Sequence, residues 1–511
     1  MTKHSLGDGV VESNVEQKGI LKWIEKAGNK LPHPFMLFVY LCVIFMVLSA
    51  ILAAMKISVI HPGTGEDTAI KSLLSQEGIG WLLTNMLGNF TSFPALGLVL
   101  GMTLGIGLAE KVGLIQAVLR GTVVKVPKRF VSFAVVFVGT LGNIASDASI
   151  AVIPPMGALI FLAMGRHPLA GYAAGVAGWG IGFTANLFIA GTDALLSGIS
   201  TQAAKIVNPE TVVTPVDNWF FMSASVFILS FLGAWITDKM IEPRLGVYKG
   251  DKTITMESFS SKEKRALKFT GITALIYLVI IALLVVPEGG LLRDPETGGV
   301  LTSPFLKGII PIILLFFVLT SSVYGKIVGV IKTTSDIPKL MAESIQMMAG
   351  FIVLVFAAAQ FVAFFNWSNM GIVLAVNGSD FLKSINMTGF PIIVLFILFV
   401  TTMNLFIASG SALWAMLAPV FIPMFMLLEF NPGFVQIAFR IADSSTNMIS
   451  PVNPYLPLVL AFYQQYKKDA GLGTVFSTMM PYTILYLIVW IIQLAIWYAL
   501  GLPIGPGVFA R

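Results

Sequence analysis

The sequence is short of almost everything a soluble protein puts on its surface. Only 11% of its 511 residues are charged, against about 25% in an average soluble protein. It has one cysteine, Cys42, and four histidines. One cysteine excludes an intramolecular disulfide framework and leaves redox compartment undetermined. Lying in an apolar run, Cys42 reads as a small core residue. His4, His33, His61 and His167 fall in loops or at helix ends, which argues against a histidine proton relay. No P-loop and no HExxH is present, so an ATP-driven pump and a zinc protease of that type are removed. No GxGD lies in a span either, which disfavours an intramembrane enzyme.

What is there is apolar. Hydrophobic residues make up 56% of the chain, and the mean hydropathy is +0.86. A soluble fold cannot hide this much apolar surface, because interior volume grows too slowly with size. The composition indicates an all-α polytopic membrane protein whose main partner is the lipid bilayer; no nucleic-acid partner is expected. The first 34 residues are polar and hold no short apolar core with a cleavage site, so insertion is expected to use the first transmembrane helix.

A spanning helix needs about 20 apolar residues. Nine segments qualify: 35–55, 82–110, 168–201, 219–240, 267–287, 306–327, 345–366, 433–462 and 480–502. Two further apolar regions, 128–164 and 389–429, are interrupted by polar, helix-poor patches at Asn143–Ser149 and Ile407–Ala412. Each arm is about 14–18 residues, too short to span at 1.5 Å per residue. They read as two re-entrant hairpins with polar tips near mid-membrane, where non-helical backbone must be buried or face a water-filled cavity. The alternative, two ordinary helix pairs with tight turns, would put Asp147 at a surface. With the N-terminus in the cytoplasm, most of the 32 basic residues fall inside, as the positive-inside rule asks. Lys56, Lys71, Lys205, Arg293, Lys307, Lys383 and Arg511 fall outside, and Arg440 within a span. That asymmetry holds only if both hairpins return to their starting side.

The halves resemble each other. Ile144–Ser149 parallels Ile407–Ala412, Pro155 parallels Pro419, and His167-Pro168 parallels Asn431-Pro432. The hairpins enter from opposite sides, so the repeats are inverted, a common transporter architecture. The expected organisation is a cytoplasmic segment 1–34, a first repeat 35–240, a loop and linking helix 241–305, a second repeat 306–503 and a tail 504–511. Segments 168–201 and 433–462 would extend about 51 and 45 Å as single helices, against a core of about 30 Å. Each contains clusters poor in helix formers: Thr184–Asn186 and Gly191–Asp193, then Asp443–Asn447 and Ser450–Pro454. Both are expected to break mid-membrane, opposite the hairpin tips. Tracts 113–124 and 329–343 read as amphipathic surface helices, and the glycine-rich run Gly175–Gly182 as close helix packing.

Charges inside a membrane are functional-site hypotheses by default. Asp147, Asp193, Arg440 and Asp443 qualify. Arg440 and Asp443, three apart, share a helix face. They either neutralise each other or free Arg440, whose planar fork suits a carboxylate, for an anionic substrate. Asn143, Ser146, Asp147, Ser149 and Asn186 in the first half, and Asn404, Ser409, Ser411, Asp443, Thr446 and Asn447 in the second, supply hard oxygens. Oxygen ligation without a His or Cys cluster suits Na⁺ rather than zinc, copper or iron; capping of helix ends by the same side chains is the plainer reading. Trp414 sits too deep for an interfacial anchor and either stacks on a substrate ring or packs as a large apolar group. Residue chemistry alone thus gives an ion-coupled carrier of an anion with room for a ring, no organic cofactor, and an anion channel as the rival.

Across nearly its whole length the chain also resembles the AbgT, or p-aminobenzoyl-glutamate transporter, family. The likeness rests on Gly28–Phe35, Ser146-Asp147-Ala148, Pro154–Phe161, Gly182–Asn186, Ile241–Gly246, Phe365–Gly371, Phe406–Ala412 and Phe439–Ser445. The resemblance implies a homodimer of nine-helix protomers, each with two hairpins, working as an elevator in the bacterial inner membrane with Na⁺ or H⁺ as coupling ion. It implies functional positions at Asp193, Ser411, Trp414, Pro432, Arg440, Asp443 and Pro451. The implied substrate is p-aminobenzoyl-glutamate, a folate breakdown product with an aromatic ring and two carboxylates; the alternative is export of p-aminobenzoate-like antimetabolites such as sulfonamides.

Overall fold

The computed structural model describes residues 32–123, 126–145, 147–248, 260–301, 303–407 and 409–511, without the side chains of 122, 123, 143, 145, 147 and 148. The order begins with α1 (Pro34–Ala54), a two-stranded antiparallel ladder of β1 (Ser58–Ile60) and β2 (Asp67–Ala69), and α2 (Gln76–Thr91), which runs into α3 (Pro94–Lys111). A short helix α4 (Leu114–Val123) leads to a helix pair, α5 (Val131–Leu141) and α6 (Ile153–Ala163). Then come α7 (Pro168–Gly182), α8 (Gly191–Ala204), α9 (Trp219–Ile236) and α10 (Ser261–Val285). The second half runs α11 (Ile309–Val328), α12 (Asp336–Gln346), α13 (Ala349–Trp367), α14 (Met370–Ser384), a second pair α15 (Phe390–Asn404) and α16 (Gly410–Met426), then α17 (Pro432–Thr446), α18 (Leu456–Tyr466) and α19 (Leu472–Leu500). Among the described residues seven helical stretches are long and apolar enough to cross a membrane: α1, α2 with α3, α9 with its continuation to Leu245, α10, α11, α13 and α19. This is a mostly helical, multi-pass membrane protein. α10 turns Leu275, Ile276, Val279 and Leu283 outward, as a lipid-facing helix should.

Local chemistry sets the breaks. Pro94, Pro168 and Pro432 each begin a helix, where a missing N–H costs nothing. Pro94 divides the run 82–110, expected as one helix, into α2 and α3, with Ser92 and Phe93 between them. His167 and Asn431 cap α7 and α17 alike, each side chain accepting from the N–H two residues on, Leu169 at 3.2 Å and Gly433 at 2.8 Å. Between α7 and α8 the chain is non-helical over 183–190. Between α17 and α18 it passes through a 3₁₀ turn (Asn447–Ile449) and the stretch holding Pro451 and Pro454. The two long polar-interrupted segments are therefore broken helices.

Three features differ from the sequence reading. The ladder of β1 and β2 adds a small strand element to an otherwise all-α chain; His61 turns it by accepting from Gly63 N–H at 3.1 Å and Thr64 N–H at 3.3 Å. The tip of the first pair, expected as a helix-poor patch of non-helical backbone, forms two 3₁₀ turns, Gly142–Ala145 and Asp147–Ala151. The helix Met370–Ser384 was not anticipated. Helices form within both tracts expected as surface helices, 113–124 and 329–343, but α12 begins only at Asp336, and α4 buries Leu114, Ile115, Ala117 and Leu119 instead of lying on the surface.

The glycine-rich run on α7 is a packing device. A Cβ at Gly178 would lie 2.3 Å from the Val136 carbonyl oxygen, and one at Gly175 2.5 Å from Pro154 Cα. α7 thus meets α5 and α6 backbone to backbone. The base of this unit is tied down by Arg166, between α6 and α7. Its Nε donates to both Glu242 oxygens at 3.1 Å, Nη1 to Ser132 Oγ at 2.9 Å and Nη2 to Asp238 at 2.5 Å. Burial alone would lower the Arg166 pKa, but hydrogen bonds to Glu242 and Asp238 outweigh it and hold the pKa above its ordinary value. Gly178→Ala is expected to destabilise the protein by about 1–3 kcal/mol, as an overpacked core does. Gly271→Ala, where a Cβ meets nothing within 4 Å, should leave the melting temperature unchanged or slightly raised. Thermal melts of both variants in detergent check this, and equal melting would contradict the packing role.

Candidate functional site

The two broken helices meet in the interior. A polar stripe runs along α17 at Gln436, Arg440, Asp443 and Ser444 and into the following turn at Asn447, all buried. Arg440 is fully buried, and its Nη2 pairs with Asp193 Oδ1 in the first turn of α8. Nη2 also donates to the Thr184 carbonyl at 2.6 Å, and Nη1 to Asn218 Oδ1 at 3.2 Å. The guanidinium therefore sits in the break of the other half. It lies at the carbonyl end of α7 and against a carboxylate at the amide end of α8, where helix dipoles favour a cation and an anion respectively. Asp193 Oδ2 is held by the Ala190 N–H at 2.7 Å and Asn186 Nδ2 at 3.0 Å. The lacing is reciprocal: the Thr184 hydroxyl donates to the Arg440 carbonyl at 3.1 Å and lies 2.5 Å from Ser444 Oγ. Arg440 Nε alone has no partner among the described residues.

Arg440 does not pair with Asp443, one of the two readings that the sequence leaves open. On an α-helix, i and i+3 side chains are neighbours, but Arg440 reaches across to Asp193. Asp443 is left fully buried, with neither carboxylate oxygen hydrogen-bonded among the described residues. It lies against the first turn of α16. A Cβ at Gly410 would be 2.9 Å from each Asp443 oxygen, so only glycine lets the helix start approach this closely.

Asn404, at the end of α15, organises the rest. Its Nδ2 donates to the Asp443 carbonyl at 2.9 Å, Thr446 Oγ1 at 2.9 Å and Asn447 Oδ1 at 3.0 Å. Its own Oδ1 has no partner among the described residues. Ser450 Oγ donates to the Asn404 carbonyl at 3.2 Å, and Asn453 Nδ2 to the Asn447 carbonyl at 2.9 Å. Ser409 caps α16 through the Ala412 N–H at 3.3 Å and lies 3.2 Å from Ser411 Oγ. The second-half candidates Asn404, Ser409, Ser411, Asp443, Thr446 and Asn447 therefore converge. In the first half Asn186 bonds to Asp193, and Ser149 is buried with a hydroxyl that has no partner among the described residues. Ser146 and the side chains of Asn143 and Asp147 lie outside the described residues.

A cavity of about 710 Å³ opens onto this second-half cluster. It is walled by Ser409, Gly410, Ser411, Asn447 and Asn453, by the aromatics Trp179, Phe183, Phe406 and Tyr455, and by Pro32, His33 and Pro34 before and at the start of α1. Its size falls within the roughly 300–1,000 Å³ of small-molecule sites. Trp414, Asp193 and Arg440 do not line it. Trp414 is fully buried, its ring tilted on Phe439 at 4.6 Å and its N–H donated to Ser200 Oγ at 3.1 Å. Pro432 and Pro451 are buried at the start of α17 and in the second break.

Residues that the sequence reading missed support the arginine. Gln436 Nε2 donates to Asn218 Oδ1 at 2.8 Å and Gln436 Oε1 accepts from Ser200 Oγ at 2.6 Å. Gln436 lies four residues before Arg440, on the same face, and that spacing is legible. Asn218 precedes α9 in a loop and carries no periodic signal. Beside it, burial pushes the Asp217 carboxyl up to about 6, opposed by hydrogen bonds from the Thr214 hydroxyl and the backbone there.

Comparison with known proteins agrees with this architecture. The profile of the AbgT putative transporter family matches residues 19–511. The p-aminobenzoyl-glutamate transport protein of Escherichia coli K12 is 48% identical over 501 residues, 98% of this chain and 99% of that protein. The crystal structure of the Alcanivorax borkumensis YdaH transporter, described as having an unusual topology, superposes with a TM-score of 0.89 at 40% identity, covering 93% of this chain and all of that one. Neisseria gonorrhoeae MtrF, described as illuminating a class of antimetabolite efflux pumps, superposes with a TM-score of 0.90 at 42% identity, covering 96% of this chain and all of that one. The chain belongs to the AbgT family of membrane transporters.

Proposed function

We propose that this protein is an ion-coupled secondary transporter of p-aminobenzoyl-glutamate in the bacterial inner membrane. The observation that carries the reading is the buried excess of acceptors where α15, α16 and α17 meet. Asp443 Oδ1 and Oδ2 and Asn404 Oδ1 have no donor among the described residues, and buried polar atoms need partners. Three hard oxygens suit a small cation or a proton, so this cluster is where Na⁺ or H⁺ would be carried. The first-half polar tip, with Asn143, Ser146, Asp147 and Asn186, is the proposed counterpart.

Arg440 is the proposed anchor for a substrate carboxylate, through its spare Nε and a guanidinium shared with Asp193. The 710 Å³ cavity is the proposed entrance. Ser411 lines that entrance while Trp414, three residues on along α16, is fully buried, so in this reading the start of α16 shifts for a substrate ring to reach Trp414. The element order that recurs in the two halves supports inverted repeats, with α5–α6 and α15–α16 as re-entrant hairpins. We take the hairpins and broken helices as the moving body, the remaining helices as scaffold, and a homodimer as the assembly. The likeness to MtrF supports a second reading in which the same site exports antimetabolites.

Purified protein in sealed liposomes tests this. Labelled p-aminobenzoyl-glutamate should accumulate transiently above its outside concentration under an inward Na⁺ or proton gradient. Equilibration without accumulation would indicate a channel or uniporter instead. Asp443→Asn keeps shape and removes charge. It should fold, abolish gradient-driven accumulation and remove any Na⁺-induced rise in melting temperature; unchanged ion dependence would exclude Asp443 from coupling.

A further inference from the structure

A second cavity lies apart from the broken helices. It holds about 380 Å³ where the continuation of α9, the end of α18 and the start of α19 meet. Ile241, Leu245 and Gly473 form its apolar walls. Arg244, Lys467, Thr474, Ser477 and Thr478 supply the polar groups, and no carboxylate lines it. Neither Arg244 nor Lys467 makes an ion pair among the described residues. The nearby acids Asp238 and Glu242 are both bound to Arg166, and Asp469, two residues past Lys467, stays outside the cavity wall. The Ser477 hydroxyl has no protein partner among the described residues, while Thr478 Oγ1 donates to the Thr474 carbonyl at 2.8 Å.

Two cations without an ion pair among the described residues, with hydroxyls, in a concave site that no described carboxylate lines, match a phosphate oxyanion. The surroundings are those of a membrane edge. Above the cavity α19 turns Met480, Ile484, Ile488 and Ile492 outward at one residue per turn, and α9 turns Phe227, Phe231 and Trp235 outward. A headgroup seated at Arg244 and Lys467 would have apolar surface on both helices for its acyl chains. Basic pockets between membrane helices are a recurrent setting for anionic headgroups.

We propose that this cavity binds a phosphate group, chemistry shared by an anionic phospholipid headgroup and soluble phosphate. The full-length protein in detergent is titrated with phosphatidylglycerol, phosphatidylcholine or inorganic phosphate, and the melting temperature followed. The same titrations are run on Arg244→Gln/Lys467→Gln and on Lys468→Gln, a neighbouring charge that does not line the cavity. Both lining side chains are exposed, so the double variant should melt normally without ligand. A saturable rise with phosphatidylglycerol alone assigns the site to a headgroup; a rise with inorganic phosphate as well assigns it to soluble phosphate. Either response should need roughly 30-fold more ligand in the double variant, about fivefold per basic side chain, and be unchanged in Lys468→Gln. No response, or one of equal midpoint in wild type and double variant, would overturn the proposal.

Discussion

A guanidinium with no exposed surface must be neutralised where it lies, because an unpaired buried charge is among the costliest things a fold can hold. Arg440 meets that demand with groups from outside its own half: Asp193, the Thr184 carbonyl and Asn218. The rest of the interior follows from this. α7 must stop at Gly182 so that a carbonyl is free, and α8 must begin so that Asp193 falls in its first turn. α17 must run straight long enough to project Arg440 into that gap. The crossing of the two broken helices is fixed by one ion pair and the hydroxyl contacts of Thr184 and Ser444.

The second break is the chemical complement of the first. Around Arg440 donors and acceptors are nearly matched; around Asp443 acceptors exceed donors. Under the proposed function that contrast would divide the labour between substrate and ion. One site holds a fixed cation suited to a carboxylate, and the other a set of oxygens suited to a mobile cation. They lie three residues apart on α17, within one turn, so a shift of that helix or of the start of α16 acts on both. Coupling between ion and substrate then needs only one element with two arrangements.

Much of this was legible in the sequence because the membrane makes polarity conspicuous. Asp193, Arg440 and Asp443 stand out in apolar runs, and Pro451, Pro454 and the Asn- and Ser-rich patches mark where helices fail. The glycines of α7 fitted packing for the same reason: in a span without a preceding strand, close approach is their ordinary use. What the sequence withheld was partner choice. Proximity along α17 suggested Arg440 with Asp443, whereas the tertiary partner is 247 residues away. The division at Pro94 was masked by the apolar residues on either side, although Asn89, Thr91 and Ser92 lead up to it, and the ladder of β1 and β2 by its length of three residues a strand. Asn218, in a loop, had no pattern to reveal it.

On the proposed function, the Arg440–Asp193 pair is kept for transport rather than stability. Removing one member of a buried pair costs about 3–5 kcal/mol, whereas replacing both by neutral groups is often harmless. The direct test is a cycle of Arg440→Gln, Asp193→Asn and the double variant, each measured for melting temperature and for gradient-driven uptake of p-aminobenzoyl-glutamate. Each single variant should melt well below wild type, and the double variant should recover most of that loss yet still transport nothing. Wild-type uptake by the double variant, or additive loss of stability with no recovery, would contradict this.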